Sequence, residues 1–586
     1  MATGPVRVEI GSLADLQERG CLTGKAGSQP VCVFWYEGRP FAVDDRCPHM
    51  GFPLHRGSVE NGLVTCHWHH ARFDLASGGT LNPFADDVRV YPVELDGGRV
   101  TVVVEPECPD PRRLRARLVE GLEQGLTLVS AKAVLALLEA GEPPAAVVRV
   151  GVDFGTAYRA AGWGSGLTVL VAMANVLPHL DPADRPLALV HGLAFVSRDT
   201  RGRPPRFPLE PLGPSGTVAP ERLAGWYRRF IETRAPDPAE RALATAIASG
   251  AGPAEVQGIM TAAATDHLFL DGGHTLDFTN KAFEVLDLLG DGAAAQVLPT
   301  LVEQTATAAR SEESGRWRHP FDLVGLVASA TERLPELAAE GEARRAAGGP
   351  AWDGAADLAW ALLGDEPGAI CDALCEALSA GATAECLGRA VAYAAALRLT
   401  RFHTQNDHGD WDVVHHAFTA ANALHQALVR APTPELLRGL FHNAMKVFLD
   451  RFLNVPAARP PERVAADLAV TGDLSGLQAC WDEQGRVDEA GAIAWRHLTT
   501  GGDPGRLVAG LGRALLAEDA QFHWFQTYEA AVRQFHAWPT GSEEGALILV
   551  GCARFLAAHT PTRRELAKVV ATATRLRRGE AIYEEE

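Results

Sequence analysis

Two short stretches, "CPHMGFPLHRG" (Cys47–Gly57) and "CHWHHARFDLASG" (Cys66–Gly78), decide the fold of the N-terminal part of this chain. Each stretch places a cysteine close before a histidine, as Cys47 with His49 and Cys66 with His69. Two thiolates and two imidazoles from two loops are the ligands of a [2Fe-2S] cluster in which cysteine binds one iron and histidine the other. The same four ligands also suit tetrahedral zinc.

The residues around these two pairs resemble the Rieske ferredoxin family. The likeness lies in the spacing C-x-H-x16-C-x-x-H, in "HMGFPLHRG" after the first cysteine and in "FDLASG" after the second pair. It covers residues 5 to 105, and it favours iron over zinc. The resemblance implies that Cys47 and Cys66 bind the buried iron and that His49 and His69 bind the outer iron.

The chain departs from the high-potential members of that family around the cluster. Phe52 and Trp68 replace the cysteines of their extra disulfide, and Ala71 and Phe73 replace a serine and a tyrosine that donate hydrogen bonds toward the cluster. Fewer donors stabilise the reduced cluster less, so the resemblance implies a potential of about −150 mV rather than about +300 mV. His70 stands where the family usually has glycine.

Length, charge and cysteine content limit the number of domains, the kinds of partner and the compartment of this protein. A chain of 586 residues exceeds one hydrophobic core, which predicts two or three domains. The formal charge of -19 argues against a nucleic-acid surface. The sequence shows neither a secretory signal nor an apolar run long enough to span a membrane. Ten cysteines scattered without a disulfide framework are typical of a reducing compartment, so we expect a cytoplasmic protein.

Hydrophobic periodicity divides the chain in two. Short alternating runs up to about residue 105 predict antiparallel strands, and the Ala/Leu-rich remainder with a period near 3.6 predicts helices. We therefore predict a multidomain protein with an all-β Rieske domain at 1–107, followed by a large all-α domain of tandem helical repeats. The helical halves are predicted at 108–345 and 346–586, and the boundary after the strands lies near Cys108 to Arg112, at "CPDPR".

The helical part repeats itself. Four segments each combine a helix end, a glycine turn and a new helix start: "LEAGEPPAAVVRVG" from Leu138, "IASGAGPAEVQGIM" from Ile247, "LSAGATAECLGRAV" from Leu378 and "LTTGGDPGRLVAGL" from Leu498. A long helical stretch follows each segment, and corresponding histidines recur after about 250 residues. This pattern predicts two tandem halves that bury their apolar faces between neighbouring units.

Three of the four long stretches begin with histidine, namely His274, His416 and His523, and the first has Thr168 instead. Pseudo-symmetry would turn these histidines toward a common axis. His191 and His442 form a second equivalent pair, and Asp271, Asp412 and Asp519 precede the three helix-start histidines by three or four residues. A carboxylate and an imidazole at i and i+4 share a helix face and could bind one ion. The hypothetical second metal site therefore comprises His191, His274, Asp412, His416, His442, Asp519 and His523, and the alternative is that these residues are helix caps or core hydrogen bonders.

Two functions remain open. The first is a redox enzyme in which a low-potential Rieske cluster delivers electrons to non-haem iron or another transition metal in the helical domain, to oxygenate or oxidise a small organic molecule. Its electrons would come from an NAD(P)H-dependent reductase or a ferredoxin, and it could be an oligomer. The second is an electron-transfer or redox-sensing protein whose helical repeats bind a partner without metal.

The helical part does not contain the complete iron-binding motif of Rieske oxygenases. The mononuclear iron motif of Rieske oxygenases, D-x2-H-x4-H, has its nearest match at Asp412 and His415, but Ala420 stands at the second histidine position. The helical part is instead faintly similar to questin oxidase-like proteins, which act on aromatic polyketides. We favour a Rieske-coupled oxidoreductase, and catalytic residues are not assigned.

Overall fold

Short antiparallel strands occupy the N-terminal part of the structure, a computed structural model that describes residues 5–27, 29–105, 110–159, 162–213, 218–348, 351–407, 409–580 and 582. The strands are β1 (Val6–Ser12), β2 (Cys21–Ala26), β3 (Gln29–Tyr36), β4 (Arg39–Asp44), β5 (Ser58–Glu60), β6 (Leu63–Thr65), β7 (Arg72–Asp74), β8 (Val90–Tyr91), β9 (Val93–Asp96) and β10 (Arg99–Val104). They form three sheets with the strand orders β1-β10-β9, β2-β3-β4-β8 and β5-β6-β7. The predicted all-β N-terminal domain is confirmed.

The strands enclose two apolar clusters. One cluster packs Leu16 and the inward face of β3 against β10. The other contains the buried cysteines Cys47 and Cys66 together with Val64 and Phe73 of β6 and β7. The loops that carry the predicted ligands are therefore anchored in a hydrophobic core and not only at the surface.

By compactness the structure divides into one unit of residues 1–150 and 565–586 and a second unit of residues 151–564. The first unit adds to the strands the helices α1 (Leu13–Arg19), α2 (Pro111–Gln124), α3 (Thr127–Glu139) and α26 (Glu565–Arg577), and the division between units falls within α4 (Pro144–Ala157). The boundary predicted between residues 107 and 108 falls among residues 106–109, which lie outside the described residues. The division between helical halves at residue 345 stays a prediction.

The second unit is helical. Its α-helices are α5 (Ser165–Val176), α6 (Arg185–Thr200), α7 (Pro220–Glu232), α8 (Pro236–Ala248), α9 (Pro253–Thr265), α10 (His274–Leu289), α11 (Ala294–Val297), α12 (Val302–Thr307), α13 (Leu323–Glu332), α14 (Leu334–Ala346), α15 (Ala355–Ala361), α16 (Pro367–Ser379), α17 (Ala384–Thr400), α18 (Asp410–Arg430), α19 (Pro434–Leu449), α20 (Pro461–Asp467), α21 (Ser475–Asp482), α22 (Val487–Thr499), α23 (Pro504–Ala517), α24 (Phe522–His536) and α25 (Glu543–His559). Within the described residues, none of the helices is both long and apolar enough to cross a membrane.

The four glycine turns identified in the sequence share one local structure. They connect α3 to α4, α8 to α9, α16 to α17 and α22 to α23. In each turn a glycine has a left-handed backbone, with φ values of 85° at Gly141, 94° at Gly250, 103° at Gly381 and 85° at Gly501. Glycine adopts this conformation without the penalty that a Cβ imposes. The repeated sequence pattern therefore corresponds to a repeated helix–turn–helix connection.

Helices α5, α10, α18 and α24 pack against one another in the second unit. A buried ion network joins α10 to α24, because Lys281 Nζ lies 2.9 Å from Glu284 Oε2 and 2.8 Å from Glu529 Oε2. All three side chains are buried, and a buried charge without partners would cost several kcal/mol. The network therefore fixes the register of the two helices, and with it the relative height of His274 and His523 at their N-terminal ends.

Candidate functional site

Two turns of the same kind carry the four predicted cluster ligands in the first unit. The Gly51 N–H donates to the Cys47 carbonyl (2.7 Å), and the His70 N–H donates to the Cys66 carbonyl (2.9 Å). The residue four positions after each cysteine is left-handed, with φ of 82° at Gly51 and 61° at His70. A non-glycine residue pays about 1–2 kcal/mol for this backbone. That cost is a physical reason for the glycine that the family resemblance leads one to expect at position 70.

The thiols point into the core and the imidazoles lie toward the surface. Cys47 is 2% exposed and Cys66 is 1% exposed, whereas His49 is half-buried and His69 is exposed. The ring centroids of His49 and His69 are 4.8 Å apart, with an interplanar angle of 82°. The structure therefore brings all four predicted ligands together, cysteines inside and histidines outside.

These residues fit a [2Fe-2S] cluster on two observations. First, Nδ1 of His49 is buried and has no hydrogen-bond partner among the described residues. A buried polar atom without a partner costs about 1–3 kcal/mol, which ligation to iron would remove. Second, burial lowers the pKa of His49 to about 4, so this imidazole is neutral and free to bind metal near pH 7.

A second group of histidines meets in the helical unit. His274, His416 and His523 each offer a ring nitrogen, and these nitrogens lie within 4.8 Å of one another. Nε2 of His416 is 3.2 Å from Nε2 of His523. Two nitrogens that share one ion at 2.0–2.1 Å are separated by about 3 Å, so this spacing suits a common metal. The predicted convergence of the three histidines is found, although His416 lies in the second turn of α18 and not at its start. Metal binding stays a prediction.

The three rings lie in a partly open site that two aromatic rings border on one side. Burial lowers the pKa of His416 to about 2 and that of His523 to about 3, so both imidazoles are neutral. The side chains of His274 and His523 are 20% and 21% exposed. Phe278 and Phe522 border His274, with ring centroids 5.3 Å and 5.7 Å from it. A small molecule could therefore reach the histidines beside two aromatic rings.

A glycine allows the helix that begins with His274 to approach α18. Gly273 has φ of 101°, and a Cβ built on it would lie 2.8 Å from the Cβ of Ala420 and 2.9 Å from the ring of Phe269. Any larger residue would have to push the start of α10 away from α18. The close approach therefore depends on glycine at 273 and on a small residue at 420, where the Rieske oxygenase motif has histidine.

Substituting Gly273 by alanine is expected to lower the free energy of unfolding by about 1–3 kcal/mol and to reduce metal binding by the three histidines. Gly272→Ala is the matched control, because Gly272 also has a positive φ, 64°, but nothing lies within 4 Å of its Cβ position. Thermal unfolding and metal content measured on both variants separate the clash from the backbone strain. Equal losses in the two variants would contradict a role for the close approach.

The sequence reasoning for this group missed His415. Asp412, His415 and His523 form a second group of potential ligand atoms within 4.8 Å of one another. His415 is fully buried, and both of its ring nitrogens lack a hydrogen-bond partner within the described structure. The spacing of Asp412 and His415 at i and i+3 on α18 was an available signal. Asp412 faces His523, with 3.9 Å between its Oδ1 and the imidazole Nδ1.

The structure does not bring His191 and His442 into this group. Nε2 of His191, on α6, lies 2.9 Å from the Leu516 carbonyl oxygen, and burial lowers its pKa to about 4. His442 is buried on α19. Burial, with a smaller contribution from the positive charge of Arg438, lowers its pKa to about 3. Both histidines are therefore buried core residues that belong to neither group of potential metal ligands.

Two of the aspartates also lie elsewhere. Asp519 falls between the end of α23 and the start of α24, so it does not share a helix face with His523, and its N–H bonds to Thr562 Oγ1 (2.8 Å). Asp271 is exposed, whereas Asp277, three residues after His274, has Oδ2 4.0 Å from the His274 Nδ1. The i, i+4 argument failed for Asp519 because the helix begins after it.

The strands and the two turns, with cysteines inside and histidines outside, are those expected of a [2Fe-2S] protein with mixed cysteine and histidine ligands. Residues 6–92 match the family model of the Rieske [2Fe-2S] domain. The anthranilate 1,2-dioxygenase ferredoxin subunit of Burkholderia cepacia is 33% identical over 96 residues, which are 16% of this chain and 89% of that protein. The chain therefore belongs to the Rieske family through its N-terminal part.

Two further relatives match about the same share of this chain. The ferredoxin component of the naphthalene 1,2-dioxygenase/salicylate 5-hydroxylase systems of Ralstonia sp is 27% identical over 99 residues, 17% of this chain and 95% of that protein. The ferredoxin component of the alkene monooxygenase system of Xanthobacter autotrophicus is 30% identical over 100 residues, 17% of this chain and 82% of that protein. The predicted Rieske resemblance is confirmed, and the Rieske cluster and electron transfer follow from it for the N-terminal part alone.

Proposed function

We propose that this chain is a redox enzyme that uses its Rieske domain to supply electrons, one at a time, to a transition-metal site in its helical unit. The reaction is the oxygenation or oxidation of a small organic molecule. An NAD(P)H-dependent reductase or a ferredoxin supplies the electrons, and the protein acts in the cytoplasm. The observation that carries the proposal is the convergence of His274, His416 and His523 in the same chain as a Rieske domain.

The relatives support the proposal that the N-terminal domain supplies electrons. Their printed names describe ferredoxin components of dioxygenase and monooxygenase systems. Those proteins are about as long as the matched region, since it covers 82–95% of their lengths. In this chain the same domain is continuous with several hundred further residues. A fused electron carrier is useful when the electron acceptor is in the same chain.

The chemistry of the three histidines supports the proposal of a transition-metal site in the helical unit. Neutral imidazoles suit iron, copper, nickel and zinc, and a three-histidine site leaves positions open for substrate or oxygen. Non-haem iron bound there would supply oxygen chemistry. Asp277, which accepts a hydrogen bond from Gln526, lies beside His274 Nδ1 and would orient that ring. Phe278 and Phe522 would exclude water from one side and pack against an apolar or aromatic substrate.

One observation favours the alternative of an electron-transfer or redox-sensing protein. Nε2 of His416 and Nε2 of His523 are at hydrogen-bond distance, 3.2 Å, and such a bond needs no metal. In that case the helical repeats would bind a partner, and the histidines would be structural.

Metal content per chain of the purified full-length protein decides between the two functions. The enzyme proposal predicts two irons with the spectrum of a Rieske cluster, plus about one further iron, manganese or copper. Two irons and no further transition metal, after growth with each of these metals supplied, would favour the alternative. The full chain is required because α2, α3 and α26 belong to the same compact unit as the strands, so cutting near residue 110 would divide that unit.

A further inference from the structure

The most unusual charged group near the cluster loops is a buried lysine that lies outside the Rieske domain. Lys132 belongs to α3, beyond the matched residues 6–92, and its side chain is 10% exposed. Burying a cation is costly unless every donor finds an acceptor. The function proposed above for the helical unit does not use this residue.

All three acceptors of Lys132 come from the Rieske domain. Its Nζ donates to the carbonyl oxygen of Pro48 and to that of His49, the latter at 2.9 Å, and lies 3.3 Å from Asp86 Oδ2. An ammonium has three N–H donors, so the three oxygens satisfy it completely. The positive charge therefore sits against the backbone of a cluster ligand and of the residue between the two ligands of the first loop.

The preceding helix, α2, contacts the segment that carries Asp86. Arg117 Nε on α2 lies 2.7 Å from Asp86 Oδ1, and its Nη2 donates to the carbonyls of Pro83 and Ala85 at 2.8 and 2.7 Å. Phe84, within this segment, has its ring centroid 4.9 Å from that of His49. Asp86 is thus a fixed negative charge between two cations, and its side chain is 31% exposed.

We propose that Lys132 is a positioning residue of the cluster that also raises its reduction potential. Cluster potentials depend on net charge, hydrogen bonding and solvent exposure. Reduction adds one negative charge to the cluster, and a cation buried against the ligand loop stabilises that charge, whereas Asp86 opposes it. A helix that follows the Rieske fold in the chain thereby tunes the electron carrier. This inference rests on the Rieske domain and not on the helical metal.

The test is a spectroscopic redox titration of the cluster in the full chain, using Lys132→Met and Asp86→Asn. At a fixed ambient potential, Lys132→Met is expected to lower the reduced-to-oxidised ratio by about tenfold. Asp86→Asn is expected to raise that ratio by about threefold, less because the carboxylate is partly exposed. Lys25→Met, which removes an exposed lysine of β2, is the control and should leave the ratio unchanged.

Opposite signs identify a charge effect, since mere loosening of the ligand loop would move both variants in the same direction. Ratios that match the Lys25→Met control, or that shift in the same direction in both variants, would overturn the proposal. If Lys132→Met fails to assemble a cluster, Asp86→Asn decides alone, and a ratio that does not rise refutes the charge effect.

Discussion

Replacing Cys47 by serine is expected to remove the Rieske cluster completely, with its two irons and its visible and electron paramagnetic resonance spectra. Cys47 is one of only two thiols in the ligand set, it is 2% exposed, and a serine oxygen is a far poorer ligand for this iron. Turnover that depends on an NAD(P)H-driven reductase should stop. The helical metal should remain, because its predicted ligands come from α10, α18 and α24.

Cys32→Ser is the matched control for this variant. Cys32 lies on β3 in the same buried cluster as Cys47, but it belongs to neither ligand turn. It should retain the cluster, with at most a loss of stability from the buried hydroxyl. A Cys47→Ser protein with two irons and an unchanged spectrum would contradict the ligand assignment. Loss of the helical metal in the same variant would contradict the independence of the two sites.

Replacing His523 by alanine is expected to produce the opposite pattern. The helical metal should be lost or bound more than 100-fold more weakly, whereas the Rieske spectrum should persist. The effect should exceed that of removing any other histidine of the group, because His523 belongs to both sets of potential ligands. With reductant supplied, oxygen uptake should stop and the cluster should accumulate in its reduced state, since its electron acceptor is gone.

His536→Ala provides the control on the same helix. His536 lies at the other end of α24 and stacks on His179, with ring centroids 4.5 Å apart, away from the metal group. Metal content and oxygen uptake should stay at the level of the unmodified protein. If His523→Ala keeps both its full metal content and its oxygen uptake, the three histidines are structural and the enzyme proposal is wrong.

Much of the N-terminal site could be predicted from the sequence because it is local. Each ligand pair spans at most four residues, and the turn around it is closed by a backbone hydrogen bond to the cysteine carbonyl from the residue four positions later, such as His70 N–H to the Cys66 carbonyl. The glycine turns of the helical part, as at Gly141 and Gly381, were predictable for the same reason, because each depends on residues that are close in sequence. In both cases the residue types needed for the backbone conformation are adjacent in the chain.

The histidine group was predictable only in part. The repeat pattern indicated that His274, His416 and His523 begin equivalent stretches, but not where each helix starts. Asp519 precedes the start of α24, so its predicted pairing with His523 was wrong. His274 and His523 lie in the first turns of α10 and α24, whereas His416 lies six residues after the start of α18 at Asp410. The fourth equivalent residue, Thr168, accepts a hydrogen bond from Trp163 Nε1 at 2.8 Å.

The sequence by itself determined the Rieske domain with its four candidate ligands, the division into a strand region and a helical region, and the repeated helix–turn–helix connections. Only the tertiary structure decided which distant groups meet: His415 beside His523, Gly273 against Ala420, and Lys132 against the ligand loop of His49. The physical reason is range. Backbone conformation and hydrophobic periodicity are set within a few residues, whereas contacts across hundreds of residues depend on helix register, buried ion pairs and the steric fit of single side chains.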